Sequence, residues 1–219
     1  MTDITSTDRL SLRNAVLDGL QRLRAAFPLE ARLQVAPADL REVYRNVLAS
    51  WLGATVPQPA RFDPERLRSL QALDAVVPGP EGIGCYPFSA RPTGIHVQLP
   101  GGAVQAMCAI DALAVARLAA KTTEIESVCL YCQSPLTIRQ EANGGLDHDQ
   151  ADCARVVWEA TACEHHSCSD GLCRHIRFLC KDCTPPADSQ CYTLPQAAAI
   201  GNAFFAFQSA LRPTGPIRD

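Results

Sequence analysis

The sequence predicts an α+β protein: an N-terminal three-helix, winged-helix-like segment followed by a small mixed or antiparallel sheet flanked by helices. Three observations carry this reading. Apolar residues recur at helical spacing through the first 80 residues. A Pro/Gly cluster, Val77-Pro78-Gly79-Pro80-Glu81-Gly82, then breaks the pattern, and short alternating segments with turn signals follow it. An apolar stretch from Leu194 to Leu211 closes the chain as a helix. With 219 residues, 47% hydrophobic and 20% charged, the chain can bury a sizeable core and is too apolar to stay disordered. The cluster divides it into a helical segment, 1–78, and an α+β domain, 79–219.

The elements follow in order. Leu12, Val16, Leu20, Leu23 and Phe27 mark the first helix. Pro37 suits the first turn of a second helix, with Leu40, Val43, Val47, Leu48 and Trp51 on its apolar face. Asp63-Pro64-Glu65 reads as N-cap, first turn and acidic N-terminus of a third, carrying Leu67, Leu70 and Leu73. Ile95, Val97 and Leu99 alternate as a strand that Pro100-Gly101-Gly102 turns. Cys108 to Lys121 is an Ala-rich helix. Residues 127–131, 136–139, 155–160 and 175–179 are strand candidates, and Asn143-Gly144-Gly145 is a turn signal.

The charge balance excludes some functions. A net charge of −3 and a pI near 5.9 offer no basic field to a nucleic-acid backbone. The helical N-terminus therefore reads as a structural cap. No apolar run reaches the ~20 residues that a membrane span needs. The opening Met1-Thr2-Asp3-Ile4-Thr5 lacks the basic and apolar regions of a signal peptide, so a cytoplasmic, reducing location is expected.

Eleven cysteines stand out: Cys85, Cys108, Cys129, Cys132, Cys153, Cys163, Cys168, Cys173, Cys180, Cys183 and Cys191. An odd count without an export signal argues against a disulfide framework and for soft-metal or thiolate chemistry. Four constellations follow. Cys108 and Asp111 lie three apart at a helix start and share one face, where the helix dipole favours a thiolate. Cys173 stands immediately before a strand that includes His175. Taken locally, each of these also fits a structural thiol. Cys129-x-x-Cys132 and Cys180-x-x-Cys183 are two knuckles separated by 47 residues, a pattern for a tetrahedral zinc site with a long insertion. Cys163-Glu164-His165-His166-Ser167-Cys168 is rich in ligands but irregular, a metal-capturing loop or a surface loop without a role. His96 fits a satisfied, partly buried strand residue better than a ligand.

Taken together and in order, these pieces resemble the organomercurial (alkylmercury) lyase family. The resemblance runs through Pro92-Thr93-Gly94-Ile95-His96, the helix start Gln105-Ala106-Met107-Cys108-Ala109-Ile110-Asp111-Ala112-Leu113, and Ser127-Val128-Cys129. It continues through the strand Cys173-Arg174-His175-Ile176-Arg177-Phe178-Leu179 and the closing helix from Leu194. It covers roughly residues 80–212. The resemblance implies protonolysis of a carbon–mercury bond. Cys108 and Cys173 would be the mercury-binding thiolates and Asp111 the proton donor, raised in pKa by neighbouring negative charge. It implies no organic cofactor, a hydrocarbon and Hg(II) as products, and small thiols or mercuric reductase as mercury acceptors.

The chain departs from the family pattern. Met107 replaces a tryptophan, Ala112 replaces a threonine, and extra thiols stand at Cys132, Cys180 and Cys183. Two other readings therefore stay open: a zinc- or soft-metal-binding regulatory paralogue, and a lyase for a non-mercurial substrate.

Overall fold

The computed structural model describes residues 6–146, 150–159 and 167–211. Four helices open the chain: α1 (Ser6–Ala26), α2 (Leu29–Val35), α3 (Ala38–Leu52) and α4 (Pro64–Ala72). The sequence reading had three. The added one, α2, is a two-turn segment whose Leu29 and Leu33 are buried. Asp63 caps α4 as expected, its carboxylate accepting from the backbone N–H of Glu65 and Arg66.

Seven strands then build an antiparallel sheet: β1 (Val76–Gly79), β2 (Gly82–Cys85), β3 (Phe88–Ser89), β4 (His96–Leu99), β5 (Gly102–Ala106), β6 (Thr123–Val128) and β7 (Pro135–Gln140). Their order across the sheet is β1-β2-β3-β5-β4-β6-β7. The Pro/Gly cluster at 77–82 forms the β1–β2 hairpin, with Gly79 opposite Gly82. Gly82 has φ +152°, and a Cβ there would meet Pro57 and Val56, so glycine is required on both counts. A second, three-stranded antiparallel sheet has the order β10-β8-β9, from β8 (Ala154–Trp158), β9 (Ile176–Cys180) and β10 (Gln190–Thr193).

Helix α5 (Ala109–Ala119) packs on β4, β5 and β6 of the large sheet and on β9 of the small one. It is buried on nearly every face, as a helix enclosed between layers must be. The expected closing helix is two: α6 (Leu194–Phe204) and α7 (Ala206–Ala210), parted at Phe205. Thr193 and Gln196 cap α6 reciprocally. Gly201 of α6 lets two backbones touch, because a Cβ there would stand 2.6 Å from the Ile110 carbonyl oxygen.

The N-terminal helices and the sheets share one apolar core running from Leu23 to Phe205. Phe27 of the α1–α2 turn packs on Tyr86 and Phe204, at 4.5 and 6.0 Å between ring centroids. Gln208 donates to the Tyr44 hydroxyl and the Tyr86 carbonyl, so α7 is bonded to α3 and to the residue after β2.

Candidate active site

Three separate segments build the site. The first is the start of α5. Cys108 is its N-cap, in extended conformation, and its Sγ accepts from the Asp111 backbone N–H at 3.4 Å. This fixes Asp111 on the same face, as the spacing predicts.

The second is the loop ahead of β9. Cys173 begins a single 3-10 turn, Cys173–His175, that leads into the strand. Its backbone N–H donates to the Cys168 carbonyl at 2.9 Å, which folds the loop back on itself. Cys173 Sγ lies 3.7 Å from Asp111 Oδ2 and 3.7 Å from Cys168 Sγ.

The third runs from Asp74, after α4, to Tyr86, after β2. Asp74 accepts from the Cys168 backbone N–H at 2.7 Å and from the Tyr86 hydroxyl at 3.1 Å. The Tyr86 hydroxyl in turn accepts from the Ser169 N–H at 2.8 Å. Arg91 and Asp170 add an ion pair at 2.8 Å. The loop bearing Cys168 and Cys173 is thus tied down by residues far away in sequence.

The ligand atoms of Cys108, Asp111 and Cys173 all lie within 4.8 Å of one another. Their exposures are 2%, 5% and 4%, so bulk water is nearly excluded. A cleft of about 320 Å³ reaches Cys173 from outside, lined also by Arg91, Thr93, Ile95, Met107 and Arg174.

Burial decides the protonation states. It raises the Asp111 carboxyl to about 7, against hydrogen bonds from Cys108 and Cys173 that lower it. The cause is desolvation, in place of the neighbouring negative charge that the resemblance suggested. Burial, reinforced by Cys173 and Asp111, also pushes Cys108 well above the ordinary thiol value. The helix dipole does not make Cys108 a resting thiolate. At Cys173 the bond to Cys108 lowers the pKa, but the bond to Cys168, burial and the charges of Cys168 and Asp111 leave it well above normal. At neutral pH the two thiols are protonated, and Asp111 is divided between its acid and carboxylate forms.

A second thiol group stands where the two sheets meet. Cys129 follows β6, Cys132 lies in the turn to β7, Cys180 ends β9 and Cys183 lies just beyond it. Their four sulfur atoms lie within 4.8 Å of one another. Burial raises Cys129, but backbone N–H groups of Cys180, Cys132 and Tyr131 outweigh it and bring the thiol to about 6.

All ten described cysteines are free. Cys163 to His166 lie outside the described residues. Of that constellation Cys168 belongs to the site as a third thiol, a place that no spacing to Cys173 announces. Asp74 and Tyr86 carried no sequence signal either. His96 is exposed on β4 and stands apart from the site, contrary to the partly buried position expected for it.

Two buried thiols and one buried carboxyl thus stand together in this α+β fold. The family model for alkylmercury lyase (MerB) matches residues 88–205, more than half of the chain. The chain belongs to the alkylmercury lyase family. Among solved structures it is similar to the mercury-bound form of MerB2, with a TM-score of 0.63 and 18% identity over 82% of this chain and 96% of that one. No curated protein sequence matches. Among the described residues, no helix is long and apolar enough to cross a membrane.

Proposed function

We propose that this lyase cleaves carbon–mercury bonds with Cys108, Cys173 and Asp111. The observation that carries the reading is the closeness of two buried thiols and one buried carboxyl, one of those thiols, Cys173, lining a cleft. Mercury(II) is soft and prefers sulfur to oxygen, so thiols are the groups to receive it.

The steps balance as follows. The Cys108 thiol displaces the thiol or halide carried by R–Hg⁺, and its proton leaves with that group. Cys173 then forms the second sulfur–mercury bond. Its proton passes to the Asp111 carboxylate, which lies at hydrogen-bond range from its sulfur. The doubly thiolated metal is richer in electrons, and its bond to carbon weakens. Asp111 delivers the proton to that carbon as the bond breaks, and the hydrocarbon R–H departs. Mercury stays in the +2 state throughout, bound to two sulfurs, and no organic cofactor takes part.

Cys168, in contact with Cys173, gives the product ion a next sulfur on its way out. Small thiols or a mercuric reductase would take it from there, and a reducing cytoplasm would keep the thiols competent.

The test is mass-spectrometric detection of benzene from phenylmercury in excess thiol, comparing wild type with Asp111→Asn. Benzene from wild type alone supports the reading. Tight mercury uptake with no benzene from either protein overturns it in favour of a metal-binding paralogue. Benzene from both removes Asp111 from its role.

A further inference from the structure

We infer that Cys129, Cys132, Cys180 and Cys183 hold one structural Zn(II) ion as a tetrathiolate, and that this ion clamps the large sheet to the small one.

The donor set selects the metal. Four thiolates with no carboxylate or imidazole suit a soft or borderline ion in tetrahedral geometry. Zinc–sulfur bonds of ~2.3 Å around a tetrahedron place sulfurs ~3.8 Å apart. The four sulfurs here lie within 4.8 Å of one another, and Cys132 and Cys180 are 3.6 Å apart. A small inward movement of the four sulfurs gives the coordination sphere.

The surroundings are built for charge on sulfur. The Cys180 backbone N–H points at Cys129 Sγ at 3.4 Å, and the Ser134 hydroxyl lies 2.7 Å from Cys132 Sγ. Gln133, with φ +59°, turns the first knuckle, and its amide donates to the Cys129 and Leu130 carbonyls. The Arg155 guanidinium gathers the carbonyls of Cys180, Lys181 and Cys183 around the second knuckle. Its positive charge offsets the net −2 of a zinc tetrathiolate. Cys129 and Cys180 are buried, whereas Cys183 is half-buried and Cys132 exposed, so an ion can enter from one side.

The position gives the ion its task. Cys129 and Cys132 belong to the β6–β7 turn of the seven-stranded sheet, Cys180 ends β9 of the three-stranded sheet, and Cys183 lies in the segment that follows. Beside them, one backbone hydrogen bond joins the sheets directly, from Leu130 N–H to the Phe178 carbonyl at 2.9 Å. The other end of β9 begins next to Cys173. The zinc centre therefore anchors the strand whose opposite end carries a thiol of the candidate active site.

The test starts from reduced protein purified without added metal, as wild type, Asp111→Asn, and the double variant Cys132→Ser/Cys183→Ser. The double variant alters only the two accessible thiols, and circular dichroism checks its fold. Elemental analysis should find about one zinc per chain in wild type and in Asp111→Asn, and none in the double variant. As a second readout, metal-stripped wild type titrated with Co(II) should develop the charge-transfer and ligand-field absorption of a tetrahedral thiolate site. That absorption should saturate at one equivalent and be bleached by Zn(II). Removing zinc should speed amide exchange in residues 129–134 and 178–183 and leave 96–106 unchanged. Iron in place of zinc, zinc undiminished in the double variant, or no metal with a silent cobalt titration would overturn the site. Unchanged exchange at 178–183 would overturn the clamp. Zinc content is read without turnover, so it stands or falls separately from the lyase reading.

Discussion

Replacing Asp111 with Asn should stop the chemistry and, above neutral pH, stabilise the fold. In the native protein burial raises this carboxyl from an ordinary 3.8 to about 7. The folded state therefore binds the proton more tightly than the unfolded chain does. Stability must fall as pH rises from ~4 to ~7, and then level off once both states are ionised. The rise in pKa converts, at about 1.4 kcal/mol per pH unit, to roughly 4 kcal/mol of lost stability at pH 8. Asparagine keeps the shape and can still accept from the Cys173 thiol, but it never ionises. Burying its amide costs about 1–3 kcal/mol at every pH, so that term cancels when pH values are compared. The stability difference between variant and wild type should thus grow by roughly 4 kcal/mol between pH 4 and pH 8, in the variant's favour. Urea unfolding of both reduced proteins across that range measures it. Parallel stability curves would refute the reasoning, because they would show that Asp111 keeps an ordinary pKa in the fold. The same titration should make kcat/KM of wild type rise as pH passes ~7, as Asp111 becomes the carboxylate that takes the Cys173 proton.

Other perturbations separate the site's parts. Cys108→Ser should keep the α5 cap, since serine is a better N-cap acceptor, leaving the melting temperature unchanged while turnover drops ~100-fold or more. Cys168→Ser should leave single-turnover hydrocarbon release within about twofold of wild type and slow steady-state turnover at low thiol concentration. Tyr86→Phe removes the hydroxyl that joins Asp74 to Ser169, so it should cost about 1–3 kcal/mol in unfolding experiments and lower kcat. Gly201→Ala drives a methyl against the Ile110 carbonyl and should cost about 1–3 kcal/mol, with a loss of activity because α5 carries both Cys108 and Asp111.

The elements that were legible in the sequence are those whose pattern is local. Asp63-Pro64-Glu65 announces α4, and the alternation of Ile95, Val97 and Leu99 announces β4. Cys108 and Asp111 could be paired because a helix start fixes their geometry three residues apart. Strand β2 was not legible. It is buried at all four positions and contains two glycines, so it shows no alternation. Strand β6 was placed several residues late, since Thr123–Val128 carries glutamates on its exposed face and the more apolar stretch that follows is the knuckle. The Asp74–Tyr86 anchor was invisible for another reason. Its partners, Cys168 and Ser169, are more than eighty residues away, and only tertiary packing joins them.

Burial links the cost of this site to its chemistry. Had Cys108 and Cys173 been exposed, both would bind mercury, but as ordinary surface thiols with no acid at hand. Enclosing them keeps them protonated, because a charge is costly there. In the proposed reaction the Cys108 proton leaves with the displaced group, and the Cys173 proton is expelled where Asp111 Oδ2 lies 3.7 Å away. The same desolvation makes that carboxyl hold a proton near neutral pH. In that proposal, capture of the metal by Cys173 and supply of a proton to the leaving carbon are one proton's path, from sulfur to carboxyl to carbon. An enclosed carboxyl between two thiols weakens the fold for that reason, and a variant that relieves the strain should lose the reaction with it.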